Sequence, residues 1–300
     1  MDCDSPQDGF GKATINRKSA AAILLVLASF TLLYNRVIWE LVKDWLRDDN
    51  YSHGFLIVPL ALYFAWERRF KFAVAPSHPS YAGLCLIMAG VSATVLNMHS
   101  FVDRIAMLAC LVGGIAFIFG WARMKVMAFP VAFLLLMIPV PAVLFNPVAF
   151  PLQLLSSRFG EWTLAACQVP VLREGNIIQL ANINLEVAEA CSGIRSLITL
   201  LALAITYGYF VESRIWVRIV LALSAVPVAI AANAFRVAGT GLAAHYYGAE
   251  AAEGFFHSFS GWLVFLMAFA MLFVLHRIMI YIKPARMKIR ADSTIGRNSR

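Results

Sequence analysis

Charge is what this sequence has least of. Only 14% of its 300 residues are Asp, Glu, Lys or Arg and 61% are hydrophobic, whereas a soluble domain carries roughly 25% charged and about 45–50% apolar residues. A soluble globular chain is therefore excluded, and an integral membrane protein is expected. Long polar stretches able to fold alone are also missing, so one helical membrane domain is the natural reading. Paired cysteines are lacking too: Cys3, Cys85, Cys110, Cys167 and Cys191 show no metal-ligand spacing, which argues against a structural metal. Cys85 and Cys110 fall inside apolar runs, where a thiol is a small hydrophobe. No small-residue cleavage site follows the first apolar run, which is thus read as a retained span rather than a signal peptide.

What is present is a series of apolar runs. The expected fold class is all-α, a polytopic membrane helical bundle of about eight transmembrane helices. The spans are read over about 19–34, 50–66, 81–97, 105–121, 126–145, 194–210, 217–235 and 260–282. Two amphipathic stretches, around Trp39 and from Phe150 to Val169, are expected to lie in the membrane interface. Pro130, Pro139 and Pro141 predict a kinked or unwound end to the fifth span. The alternation of Asn176 to Leu180 and Ile183 to Val187 around Ala181-Asn182 predicts a short extracytoplasmic β-hairpin. Residues 1–18 are expected to form a polar, disordered N-terminal segment, 19–282 the single membrane domain and 283–300 a basic tail.

The net charge of +8 sits in turns between spans, so it reports orientation and not a nucleic-acid partner. With both termini cytoplasmic, Arg17, Lys18, Arg68, Arg69, Lys71, Arg123, Lys125, Arg214 and Arg218 collect inside. Most acids, from Asp44 to Glu253, collect outside. On that reading Cys191 opens the sixth span, Arg236 closes the seventh and His257 precedes the eighth, all in one outer layer.

The octet Glu189 to Ser196 is the most unusual stretch. A thiol at a helix N-terminus gains thiolate character, and Arg195 shares its helical face four residues on. A small interfacial residue, or a disulfide from Cys167 to Cys191, reads equally well from the residues alone. His257 can exchange a proton or serve as a polar anchor, and His53 is its rival at the start of the second span. Arg236 can stabilise an oxyanion or snorkel. Asn233, one turn before, can orient it, and Glu189 can pair with either arginine.

Five blocks, Tyr51-Ser52-His53-Gly54-Phe55, Met137-Ile138-Pro139-Val140-Pro141, Glu189 to Arg195, Asn233-Ala234-Phe235-Arg236 and His257 to Trp262, together resemble the exosortase/archaeosortase family of membrane transpeptidases. The resemblance implies a cysteine peptidase with Cys191 as nucleophile, Arg236 as oxyanion group and His257 as proton carrier, needing no metal or organic cofactor. It implies as partners exported proteins whose C-terminal signal is a Pro-Glu-Pro-like motif, a transmembrane helix and a basic cluster. Glu67 and Glu212 are candidate partners for that cluster, and membrane lipids surround the whole. The bacterial branch implies the inner membrane, with the site on the periplasmic side. The rival reading is a transporter or lipid-carrier protein of an exopolysaccharide pathway, with Cys191 incidental.

Overall fold

The computed structural model describes residues 17–48, 51–96, 100–181, 184–186, 193–248, 250 and 255–282. The expected basic tail, and all but the last two residues of the expected N-terminal segment, lie outside them. The helices are α1 (Arg17–Arg47), α2 (Gly54–Glu67), α3 (Arg69–Val74), α4 (Tyr81–Val95), α5 (Ser100–Phe119), α6 (Trp121–Phe133), α7 (Ala142–Ala166), α8 (Gly193–Val211), α9 (Ile215–Tyr247) and α10 (Phe255–Ile282). Three segments are long and apolar enough to cross a bilayer, Leu24–Arg47, Ser100–Phe119 and Ile215–Tyr247. Four shorter apolar helices accompany them among the described residues. The protein is an integral membrane protein, but the expected eight spans do not follow from these lengths.

The first half packs around α1. Tyr34, Val37, Leu41 and Trp45 are all buried, a stripe at three- and four-residue spacing that faces one core with Ile57, Phe64, Met107 and Phe133. This overturns the expected division into a short span and a separate interfacial helix: the stretch around Trp39 continues α1 without a break. Its inward stripe gains more by packing on protein than by lying in the headgroups. Helices α4 and α5 form a close hairpin. A Cβ on Gly83 would lie 2.5 Å from the Phe117 nitrogen and 2.7 Å from the Gly113 oxygen, so two glycines set the spacing.

Helix α6 keeps Pro130 inside it and ends in a 3₁₀ turn, Leu134–Met137. The chain is extended at Ile138 and Pro141 before α7 begins. The expected unwinding therefore falls at Pro139-Val140-Pro141. Carbonyls freed by the break find donors on the first helix and in the turn that follows it. Trp45 Nε1 donates to Met137 (3.0 Å), the Tyr51 hydroxyl to Val140 (3.3 Å) and His53 Nε2 to Leu136 (3.1 Å). A buried arginine, Arg104, pairs with Asp44 at 2.5 Å and ties α5 to α1.

Helix α7, whose stretch from Phe150 to Val169 was expected to lie on the membrane, packs against protein along much of its length. A Cβ on Gly160 would touch the Val237 side chain, and one on Gly241 would touch Leu164. Both contacts advance by one turn in the same direction, so α7 runs parallel to α9 and packs along it. Ala149, Ser156, Ser157 and Leu164 are buried along the helix. Small residues let the two backbones approach, and that contact outweighs the weak amphipathicity.

A three-stranded antiparallel sheet follows, ordered β1 (Val171–Glu174), β2 (Ile177–Leu180), β3 (Asn184–Glu186). Strands β2 and β3 pair Ile177 with Glu186, Ile178 with Leu185 and Gln179 with Asn184. They occupy the two stretches read as alternating. Strand β1 was not anticipated, because Val171 to Glu174 is too short to show a period. Ile178 is fully buried in a cluster with Leu164, Val169 and Val237, which seats the sheet on α7 and α9.

Candidate active-site layer

Three helices carry the residues singled out in the sequence, and their relative heights can be read from contacts at one end. Helices α8 and α9 are joined by residues 212–214, so they run antiparallel. Gly208 lies opposite Arg218 and Leu221, and Arg218 Nη2 donates to the Tyr209 carbonyl at 3.1 Å. From Gly208 back to Gly193, and from Leu221 forward to Arg236, is the same climb of about fifteen residues, roughly 22 Å at 1.5 Å per residue. Leu197 and Asn233 line one cavity partway up, which holds the register. The N-terminal end of α8 thus reaches the level of Arg236.

Helix α10 joins the same layer. The Tyr207 hydroxyl lies 2.8 Å from His276 Nδ1. Equal steps back along the two parallel helices bring Gly193 level with Trp262. His257 is about five residues, roughly 7.5 Å, further toward the same end. The sheet completes the layer, because Val237, the neighbour of Arg236, shares a core cluster with Ile178.

The helices run further than the expected spans: α9 continues past Arg236 to Tyr247, because Ala238, Ala243 and Ala244 stay buried and extend the packed face, and His257, expected just before the eighth span, lies in the first turn of α10. Asn233 is buried and Arg236 partly buried, three residues apart and so on one helical face. For Arg195 and His257 the backbone alone is described, and Cys191 and Glu189 lie outside the described residues. Cys167 is exposed and carries a free thiol among the described residues. His53 lies in the other half of the bundle, bound to the carbonyl of Leu136, and so acts on the α6–α7 break.

Beside Asn233, Gln153, Ser156, Leu197 and Ala229 help to enclose a cavity of about 20 Å³ between α7, α8 and α9, enough for about one water. Neutral polar side chains therefore meet an apolar wall one to two turns inside the layer.

A family model for transmembrane exosortases matches residues 45–274. The chain belongs to the transmembrane exosortase family. Membership supports a membrane transpeptidase-type role, and the match takes in α2 through most of α10, including every helix of the layer. No curated protein and no solved structure was found to match the chain.

The opposite end of this exosortase holds a buried clasp whose pairing the sequence did not reveal. Glu212 is buried between α8 and α9, and it accepts from Arg214 Nε (2.9 Å), Arg214 Nη2 (2.7 Å) and the Arg214 backbone nitrogen (2.9 Å). Arg214 holds its carboxyl at about 2 against an ordinary 4.5, even though burial pulls the other way. His276 Nε2 lies 3.5 Å from the same carboxylate. One neutral tautomer satisfies both neighbours, with Nε2–H facing Glu212 and Nδ1 accepting from Tyr207. Glu212 is therefore engaged within the fold and is withdrawn as a docking acid for a basic tail. The signal that could have found this clasp was His276, a lone histidine inside an apolar run. Tyr51 lies in the turn before α2, where burial, with Asp48 and Asp44 nearby, pushes its hydroxyl pKa up, and it donates to the Val140 carbonyl.

Proposed function

We propose that this exosortase is a cysteine transpeptidase whose reacting groups are Cys191, Arg236 and His257. The observation that carries the reading is the shared level of the α8 N-terminus, Arg236 and the first turns of α10, with Cys191 two residues before α8. Free backbone N–H groups at the start of a 19-residue helix favour a thiolate. Arg236 supplies positive charge where an oxyanion forms, and Asn233 steadies it from one turn below.

In this scheme the Cys191 thiol gives its proton to His257, and the sulfur adds to the carbonyl carbon of a substrate peptide bond. The resulting oxyanion is held by Arg236. Collapse breaks the C–N bond, the leaving amine takes the proton from His257, and a thioester remains on Cys191. An acceptor nucleophile then attacks the thioester, which frees the thiol and transfers the acyl group.

The substrate class follows from the site's depth. A thiol at the mouth of a span suits a peptide bond just outside a substrate's own membrane helix, followed by a basic tail, as in exported proteins with a Pro-Glu-Pro-like signal. The exposed Trp39 and Trp162 suit the rim of a groove that such a helix enters sideways. The charge distribution supports a bacterial inner-membrane protein with cytoplasmic termini and a periplasmic site.

Cys191→Ala tests the reading. In cells carrying a tailed reporter, processing is expected to stop, with the uncleaved reporter accumulating in the membrane. Unchanged processing would overturn the proposal. In the wild type, the mass of the mature reporter's new C-terminus separates transfer from hydrolysis.

A further inference from the structure

Helices α1, α4 and α5 enclose a second pocket, of about 250 Å³, whose polar lining is Arg36, Glu40, Thr94 and Asp103. It sits where α4 ends and α5 begins, at the boundary of a segment long and apolar enough to span the bilayer. Leu33 and Val95 also line it and are exposed, so the pocket has an apolar rim turned toward lipid.

Its floor is acidic. Asp103 is only 7% exposed, and its Oδ1 has no hydrogen-bond partner among the described residues. The neighbouring cation is already committed, because Arg104 pairs with Asp44. A carboxylate taken out of water without a counter-charge is strongly unfavourable, so a cation from outside the chain would be held there. Two more acceptors line the same pocket. Thr94 donates its hydroxyl to the Gly90 carbonyl, leaving oxygen lone pairs to accept, and Glu40 adds a carboxylate. At the exposed end stands Arg36, 3.0 Å from Glu40 Oε1 through Nε, with further guanidinium N–H groups to offer an anion.

The pocket therefore offers acceptors at its buried end, a guanidinium at its open end and an apolar rim. A lone metal ion suits it poorly, since no group of three His, Cys, Asp or Glu able to hold one occurs among the described residues. We infer that it is a binding site for the head group of a phosphoethanolamine lipid. The primary ammonium donates to Asp103, Thr94 and Glu40, the phosphate pairs with Arg36, and the acyl chains lie along Leu33 and Val95. A quaternary ammonium has no N–H to donate, and a glycerol head group has no charge to offset Asp103, so both are discriminated against. The site is independent of the peptidase chemistry, since none of its residues belongs to the proposed reacting set.

The test is native mass spectrometry of the purified full-length protein in detergent, titrated separately with phosphatidylethanolamine, phosphatidylcholine and phosphatidylglycerol. Phosphatidylethanolamine is expected to bind more tightly by about tenfold or more. Asp103→Asn should remove that preference, and Arg36→Gln should weaken all three lipids alike. Soluble glycerophosphoethanolamine should compete, showing that the head group and not the acyl chains is read. Equal binding of the three lipids, a preference unchanged in Asp103→Asn, or failure of the soluble head group to compete would each overturn the assignment. Thermal melting without lipid checks that Asp103→Asn is folded. Should it not fold, Glu40→Gln carries the test: a weakened preference supports the site, and an unchanged one overturns it.

Discussion

Glu212 shows how one side chain can organise a junction. It is buried, accepts three hydrogen bonds from Arg214 and faces His276. Because its carboxyl is held at about 2, below its ordinary value, the unfolded chain binds the proton first as pH falls. The clasp's contribution is then fully present above about pH 4.5 and is lost as pH drops toward 2. Melting of the wild type in detergent is expected to fall more steeply between about pH 5 and pH 3 than melting of Glu212→Gln. At neutral pH that variant should be less stable by about 2 kcal/mol, the range for a hydrogen bond to a charged group. A variant that melts like the wild type at every pH would show that the clasp contributes nothing.

The break between α6 and α7 is an element held open by its neighbours. Prolines at 139 and 141 oppose continuation of the helix, and Trp45, Tyr51 and His53 satisfy three of the carbonyls so exposed. Trp45→Phe keeps an aromatic ring and removes the donor to Met137. It is expected to cost about 1–3 kcal/mol, the penalty of one unsatisfied buried acceptor, seen as a lower melting temperature in detergent. The α4–α5 hairpin makes the opposite demand, for absence of a side chain. Gly113→Val would drive a branched group toward the Gly83 carbonyl, 2.8 Å from the added Cβ. Folded yield should fall sharply, while Gly114→Ala, where nothing lies within 4 Å, should be tolerated.

Over the whole molecule, the two ends differ in what they gather. The α7 C-terminus, the sheet, the α8 N-terminus and the start of α10 share one end, and the Glu212 clasp sits at the other. If that first end faces the periplasm, an epitope inserted in the β1–β2 turn at Gly175-Asn176 will be reached by antibody in intact spheroplasts. One inserted at Pro76-Ser77, between α3 and α4, will be reached only after permeabilisation. The reverse pattern would turn the layer to the cytosol and remove the proposed site from exported substrates.

Membrane insertion was determined by the sequence alone, because hydrocarbon accepts so few charges that composition is decisive. The break at Pro139 and Pro141 was equally legible, since proline acts locally through a missing donor and a fixed angle. Where helices end, and which of them touch, only the tertiary structure decided. Helix α1 runs on through Trp39, and α9 runs past Arg236 to Tyr247, because buried stripes on neighbouring helices continue there. The parallel packing of α7 on α9 rests on Gly160 and Gly241, whose value lies in a missing Cβ opposite a particular side chain. The Tyr207–His276–Glu212 clasp joins groups more than sixty positions apart, and no local pattern records a contact made across that distance.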